Sequence, residues 1–166
     1  MFLLALLLAV AWTTDASAQK SEIVLQPSNL LQRAEDALLR GRIDTAAALY
    51  DQALAAGVSE WETYKALNNL CVAQYLLEAY EEAVATCKRA IRNRANRWMA
   101  YGNLGLALSR LGRYEEALTA FRRGLEVAPG NRHLRRNLEF VERAYREGRR
   151  KGVRPVRGRP RSRGIV

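Results

Sequence analysis

The chain repeats itself at an interval of 34 residues, and that interval constrains its fold more than any other feature. Leu67, Leu70, Cys71, Tyr80, Ala83, Cys87, Ala90 and Ile91 stand 34 positions before Tyr101, Leu104, Gly105, Tyr114, Ala117, Phe121, Gly124 and Leu125. Within each unit the apolar positions recur every three or four residues, which gathers them on one face of a helix. Between Trp98 and Pro129, the residues Tyr101, Leu104, Gly105 and Leu108 form the inner face of a first helix. Gly112 ends that helix, because a residue without Cβ enters the left-handed backbone region at little cost. Ala117, Phe121, Gly124 and Leu125 face inward from a second helix, which Pro129 and Gly130 close. The expected fold is all-α, a row of helical hairpins.

An earlier unit lies three residues out of step. Leu30, Ala34, Ala37 and Leu38 would face inward from its first helix, and Ala46, Tyr50, Ala53 and Leu54 from its second, with Gly41 at the turn and Gly57 at the end. Pro27 and Ser28 mark its start, with Ser28 expected to cap the first helix and Asp44 the second. Ser59 and Glu62 have the spacing of a capping box, in which each side chain satisfies the other's free backbone amide. Glu78 fills the turn slot that glycine holds in the other two units, at a cost of about 1 kcal/mol if it must be left-handed. Beyond Pro129, Asn131 can cap a last helix bearing Leu134, Leu138, Val141 and Tyr145. Such a helix would shield the apolar end of the row from water.

Tyr101, Leu104, Gly105, Gly112, Tyr114, Ala117, Phe121 and Pro129, with Gly124 in a slot usually held by alanine, give an order that resembles the tetratricopeptide repeat. The resemblance covers roughly residues 28–145 and is most secure over 64–131; in the first unit Arg33 stands where leucine is expected. It implies a helix–turn–helix solenoid over 28–148, with repeats at about 27–60, 64–97 and 98–131 and a capping helix over 131–148. It also implies a scaffold that binds other proteins, without naming one.

In that family the first helices of successive repeats line a concave surface, and the sixth repeat position points into it. Here that position holds Asn69, Asn103 and Asn137, with Gln32 in the first unit. A column of amides, each both donor and acceptor, could hold the backbone of an extended peptide. Support of the neighbouring turn is the other role open to these residues. The same mapping puts Lys65, Tyr75, Met99, Leu106, Arg110, Arg136 and Phe140 on this face, a mixture suited to a peptide with apolar side chains and negative charge.

Cys71 and Cys87 lie eight residues before and after Ala79, near the centre of the second hairpin turn, and so face each other across it. In the family these slots hold the residues that pack between the two helices. An oxidising compartment would permit a disulfide here. Against it stands the usual 8–10 Å between packed helix axes, since a bridge needs Cα atoms within about 7 Å. The alternative is a pair of buried thiols acting as small hydrophobes.

The two ends differ from the body. Phe2 to Trp12 is apolar but too short to span a bilayer as a helix, and Ala16-Ser17-Ala18 has the small–x–small pattern of a signal peptidase site. We therefore expect a signal peptide over 1–18, a mature chain from Gln19, a linker over 19–27, and export to a bacterial periplasm; the chain would be cytoplasmic if that reading fails. No Lys or Arg precedes the apolar run, which leaves open a later-assigned start or an uncleaved anchor. No cysteine stands at the cleavage site for a lipid.

Of the net charge of +10, the stretch from Arg146 to Val166 carries nine bases against one acid, whereas 19–145 carries eighteen bases against fifteen acids. A disordered tail is expected over 149–166, with Arg149, Arg150, Lys151, Arg154, Arg157, Arg159, Arg161 and Arg163 drawn to lipid headgroups, lipopolysaccharide or an acidic partner. Arg157-Gly158-Arg159-Pro160 resembles the core of an AT-hook, which would lay its arginines in an A·T minor groove. Nucleic acid conflicts with export, so it is the lesser expectation.

No catalytic pattern stands out. His133, the only histidine, falls on the polar side of the last helix, and the pairs Glu81-Glu82 and Glu115-Glu116 are acidic first turns of second helices. No cluster has metal-ligand spacing, and no cofactor is expected. The leading expectation is a non-enzymatic, exported adaptor that holds a peptide or protein segment in its groove. A nucleic-acid-associated protein using the tail, and a structural subunit using convex faces or repeat ends, are the alternatives. Association with a second copy also stays open, because the first repeat has no obvious polar cap.

Overall fold

A computed structural model describes residues 26–151. The expected signal peptide, most of the linker, and Arg154, Arg157, Arg159, Arg161 and Arg163 lie outside the described residues. Within them the helices are α1 (Pro27–Leu39), α2 (Ile43–Ala56), α3 (Glu60–Leu76), α4 (Tyr80–Asn93), α5 (Trp98–Arg110), α6 (Tyr114–Val127) and α7 (Arg132–Arg150), with no strand among the described residues. Helices α1–α2, α3–α4 and α5–α6 pair as hairpins, and each hairpin packs on the next, with α7 closing the row. The first helices also touch along the row, α1 to α3, α3 to α5 and α5 to α7, whereas α2, α4 and α6 do not touch one another. A row drawn together on one side must curve, and the first helices lie on its inner side. This is the all-α hairpin solenoid that the 34-residue interval implies.

The three hairpin turns share one geometry. Gly41, Glu78 and Gly112 are left-handed, at φ 71°, 61° and 70°. In each turn the amide of the next residue bonds back across the helix end, Arg42 to the Ala37 carbonyl, Ala79 to Gln74 and Arg113 to Leu108, at 2.8–2.9 Å. The left-handed residue's own amide reaches Leu38, Tyr75 or Ser109 at 3.0–3.1 Å. This is a Schellman motif, which satisfies the last free carbonyls. Glu78 adopts it at a steric cost that glycine would escape. Glu78→Gly is therefore expected to stabilise the fold by about 0.5–1 kcal/mol in urea unfolding, the relief being partly offset by the entropy of a freer unfolded chain.

Caps explain where the other ends fall. Ser59 Oγ accepts from the Glu62 amide at 3.3 Å while the Glu62 carboxylate accepts from the Ser59 amide at 3.0 Å, so the capping box forms. The Ser59 hydroxyl and amide hold the Glu62 carboxyl below its ordinary pKa. Asn131 accepts from the Leu134 amide at 3.0 Å and caps α7. Two expected caps are not used. Pro27 occupies the first turn of α1 and places Ser28 inside the helix, because its fixed φ suits that position and its missing amide loses nothing there. The Schellman turn makes Arg42 the residue before α2, which leaves Asp44 in the first turn as a favourable charge. Gly148 does not end the last helix either. It continues to Arg150 with Lys151 as its cap, so Arg149, Arg150 and Lys151 belong to the helix end, where cations are favourable. The Arg149 guanidinium lies 5.8 Å from the Tyr145 ring centre.

Inside the hairpins, equivalent positions carry different pairs: Ala34 with Tyr50, Cys71 with Cys87, and Gly105 with Phe121. A Cβ on Gly105 would stand 2.6 Å from the Phe121 ring, so the glycine exists to admit that ring. In the middle hairpin the Cα atoms of Cys71 and Cys87 are 5.4 Å apart and their sulfurs meet between the two helices. Each Cα stands about 2.3 Å off its helix axis, so two that face each other approach well inside the interaxial distance. That removes the steric objection to a bridge.

Candidate functional site: the inner face

The inner face is built from α1, α3, α5 and α7, and its middle is tied together by amides. Asn103 Nδ2 donates to Asn68 Oδ1 at 3.1 Å, Asn68 Nδ2 to Asn69 Oδ1 at 3.2 Å, and Asn69 Nδ2 to the Tyr50 hydroxyl at 3.2 Å. This chain runs from α5 through α3 to α2 and crosses both hairpin junctions. Burial raises the Tyr50 pKa, an effect that the bond from Asn69 partly opposes. Two members of the expected column, Asn69 and Asn103, are thus bonded inside the protein, with Asn68 between them. Gln32 is exposed at one end of the row and Asn137 half-buried at the other, and neither is bonded within the described residues.

A cavity of about 290 Å3 opens on this face between α5 and α7, floored by Asn68, Gly102 and Leu134. It brings together four expected residues, Met99, Asn103, Leu106 and Asn137. It also draws in Trp98 and His133, neither of which was assigned to the groove from the sequence. His133 is exposed, as a place on the polar side of α7 implies, and it stands at the mouth of this cavity. Its slot in the 34-residue frame is that of Met99 and Lys65, which the repeat mapping had already placed on this face.

The other expected residues lie around the cavity. The Lys65 ammonium pairs with Glu35 at 2.9 Å. The Arg110 guanidinium donates to the Tyr80 hydroxyl at 3.0 Å and lies over its ring, and the Tyr75 ring meets Tyr80 at 5.6 Å. These three hold the turn end of the face. Arg136 is exposed and unbonded within the described residues, and Phe140 is 68% exposed. The face thus offers amides and an imidazole beside apolar surface, with free positive charge toward α7. Elsewhere, Trp61 stacks on Tyr64 and takes the guanidinium groups of Arg97 and Arg94 at 4.7 and 5.5 Å. Arg94 also pairs with Glu60 at 3.3 Å, so this patch serves to fasten the connection between α4 and α5. Among the described residues no three His, Cys, Asp or Glu converge as metal ligands, and no helix is long and apolar enough to cross a membrane.

Known proteins give the same frame. Profiles of the tetratricopeptide repeat match residues 31–97 and 98–131. Solved structures with this fold include the first TPR of Spaghetti (RPAP3) bound to the HSP90 peptide SRMEEVD, at 22% identity and a TM-score of 0.67 over 72% of this chain and 93% of that one. The Sgt2 TPR domain from Aspergillus fumigatus aligns at 24% identity and 0.67 over 83% of this chain and 91% of that one. The Hsp90 co-chaperone Cns1 from Saccharomyces cerevisiae aligns at 20% identity and 0.73, over 76% of this chain and 41% of that one. With two adjoining matches running from the first hairpin to the end of the third, the chain belongs to the tetratricopeptide repeat family.

Proposed function

We propose that the protein is a non-enzymatic adaptor that is exported and holds a peptide or protein segment against its inner face. The observation that carries this reading is the cavity at Met99, Asn103, Leu106 and Asn137, where amides adjoin apolar side chains. A peptide backbone presents donors and acceptors that such amides can match whatever its side chains, while Met99 and Leu106 select an apolar one. The unpaired Arg136 favours an acidic segment. The RPAP3 domain of the same fold is bound to the acidic peptide SRMEEVD. Because Asn69 and Asn103 donate to neighbours, contact with a peptide falls to Asn137 and to the free oxygen of Asn103.

Export is supported by Ala16-Ser17-Ala18, and it suits two cysteines that face each other across the middle hairpin with Cα atoms 5.4 Å apart, since a disulfide there would persist in an oxidising compartment. On α7 the exposed Arg132, Arg136, Arg143 and Arg150 have no partner within the described residues. They extend the positive charge of the tail onto the folded domain and suit an anionic envelope surface or an acidic partner.

Random dodecapeptides displayed on phage and selected on the native protein test the groove. Met99→Ala with Asn137→Ala, which breaks no hydrogen bond within the described residues, is expected to weaken the selected peptides about tenfold, roughly 1.4 kcal/mol, with little change in melting temperature. Undiminished binding would place the peptide elsewhere. Intact mass from separated cell fractions tests export: a chain starting at Gln19, with both cysteines protected from alkylation until reduced, is the expected result. A full-length reduced chain in the cytoplasm would remove the signal peptide and the bridge together.

A further inference from the structure

A second cavity, of about 510 Å3, opens on the outer side of the row, where α4 and α6 stand apart over α5. Its floor and sides are apolar: Leu104 and Leu108 from α5, Ile91 from α4 and Ala120 from α6. Its two walls carry opposite charge, Lys88 and Arg92 on α4 and Glu115 and Glu116 on α6. The carboxylates are already engaged. Glu115 accepts from the Tyr145 hydroxyl, and Glu116 holds Arg113 through two bonds of 2.7 Å. Arg123, also on the rim, pairs with Glu126 at 2.7 Å. Lys88 is half-buried, Arg92 is exposed, and neither is bonded within the described residues. Glu115 keeps its negative charge, because its hydroxyl donor is neutral, but the two cations on the α4 wall outnumber it and sit four residues apart on one helix face.

The repeat provides an internal comparison. At the preceding junction Asp51 and Ala55 replace Lys88 and Arg92, while Gln74 and Thr86 replace Leu108 and Ala120. Neither the free cations nor the unbroken apolar floor is a property of the repeat as such; both belong to this junction. A ligand with polar groups along its length would leave them unmatched on that floor, and a wholly apolar one would leave the cations unused. We infer that this outer cavity binds a single-tailed amphiphile with an anionic head, its chain against Ile91, Leu104, Leu108 and Ala120 and its head between Lys88 and Arg92. The volume falls within the range of about 300–1,000 Å3 usual for small-molecule sites. A free fatty acid and a lysophospholipid share this chemistry.

Titration calorimetry and methyl NMR on the native protein test it with dodecanoate, dodecyl phosphate and uncharged dodecanol, all kept below micelle formation. Both anions are expected to bind once per chain and shift the methyl signals of Ile91, Leu104, Leu108 and Ala120, with dodecanol about tenfold weaker or more. A preference for the carboxylate would assign the site to fatty acids, and one for the phosphate to lysophospholipids. Lys88→Gln with Arg92→Gln should remove the preference for anions. Thr119→Trp, placed on the rim to fill the cavity, should abolish binding. The basic tail is unchanged in both variants, so anions gathered there do not distinguish them. Dodecanol binding as tightly as dodecanoate, shifts centred on Met99 and Leu106 instead, or no binding at about 1 mM would each overturn the inference.

Discussion

Phe121→Ala is expected to cost about 3–5 kcal/mol of stability. The ring is fully buried between α5 and α6, and Gly105 has no side chain that could move into the space left behind. The hairpin on either side cannot collapse freely, because α5 is also held by α4 and α7. Urea unfolding followed by far-ultraviolet circular dichroism measures the loss; a cost below about 1 kcal/mol would mean that the third hairpin is not packed on this ring. Gly105→Ala, which forces a Cβ into the ring, should cost about 1–3 kcal/mol. Combined, the two changes should cost less than their sum, since the small side chain at position 121 relieves the clash at 105.

The second large effect concerns the proposed bridge. Adding reductant to the native protein should lower its stability by about 3 kcal/mol, because Cys71 and Cys87 are 16 residues apart and the bridge restricts the unfolded chain by a loop of that size. The chain-entropy model gives this figure. An unfolding curve unchanged by reductant would show two thiols instead. The hairpins suggest a replacement. Cys71→Gly with Cys87→Phe recreates the pair found at Gly105 and Phe121, and should fold with a stability that reductant does not alter. A variant that fails to fold would show that the middle hairpin requires its sulfurs for more than volume.

Much of the fold was legible because the solenoid writes each packing position into the sequence at a constant interval. The left-handed Glu78 is an example: nothing in its chemistry suggests the conformation, but its slot is that of Gly41 and Gly112. The misread caps at Ser28 and Asp44 have a common cause. A side chain that can cap competes with backbone geometry already fixed by a proline or a Schellman turn, and the backbone prevails. The inner face was legible in part. Asn103 and Asn137 line its cavity as the repeat mapping implies, but Asn68 could not be foreseen, since its counterpart one repeat later is Gly102. Hydrogen bonding between repeats leaves no periodic trace. The outer cavity has no mark in the sequence for a related reason: nothing in the repeat pattern sets Lys88 and Arg92 apart from other bases until the helices that face them are placed.

A row in which each hairpin grips only its neighbours transmits tension in series. Pulled from its two ends, such a chain should yield one junction at a time and lengthen in steps. With Cys71 and Cys87 joined, the roughly 15 residues between them would be withheld from that extension, about 50 Å of contour that reductant alone would release. The bridge would then act as a stop in the middle of a spring, with the α1–α2 hairpin free to uncoil on one side and the α5–α7 segment on the other.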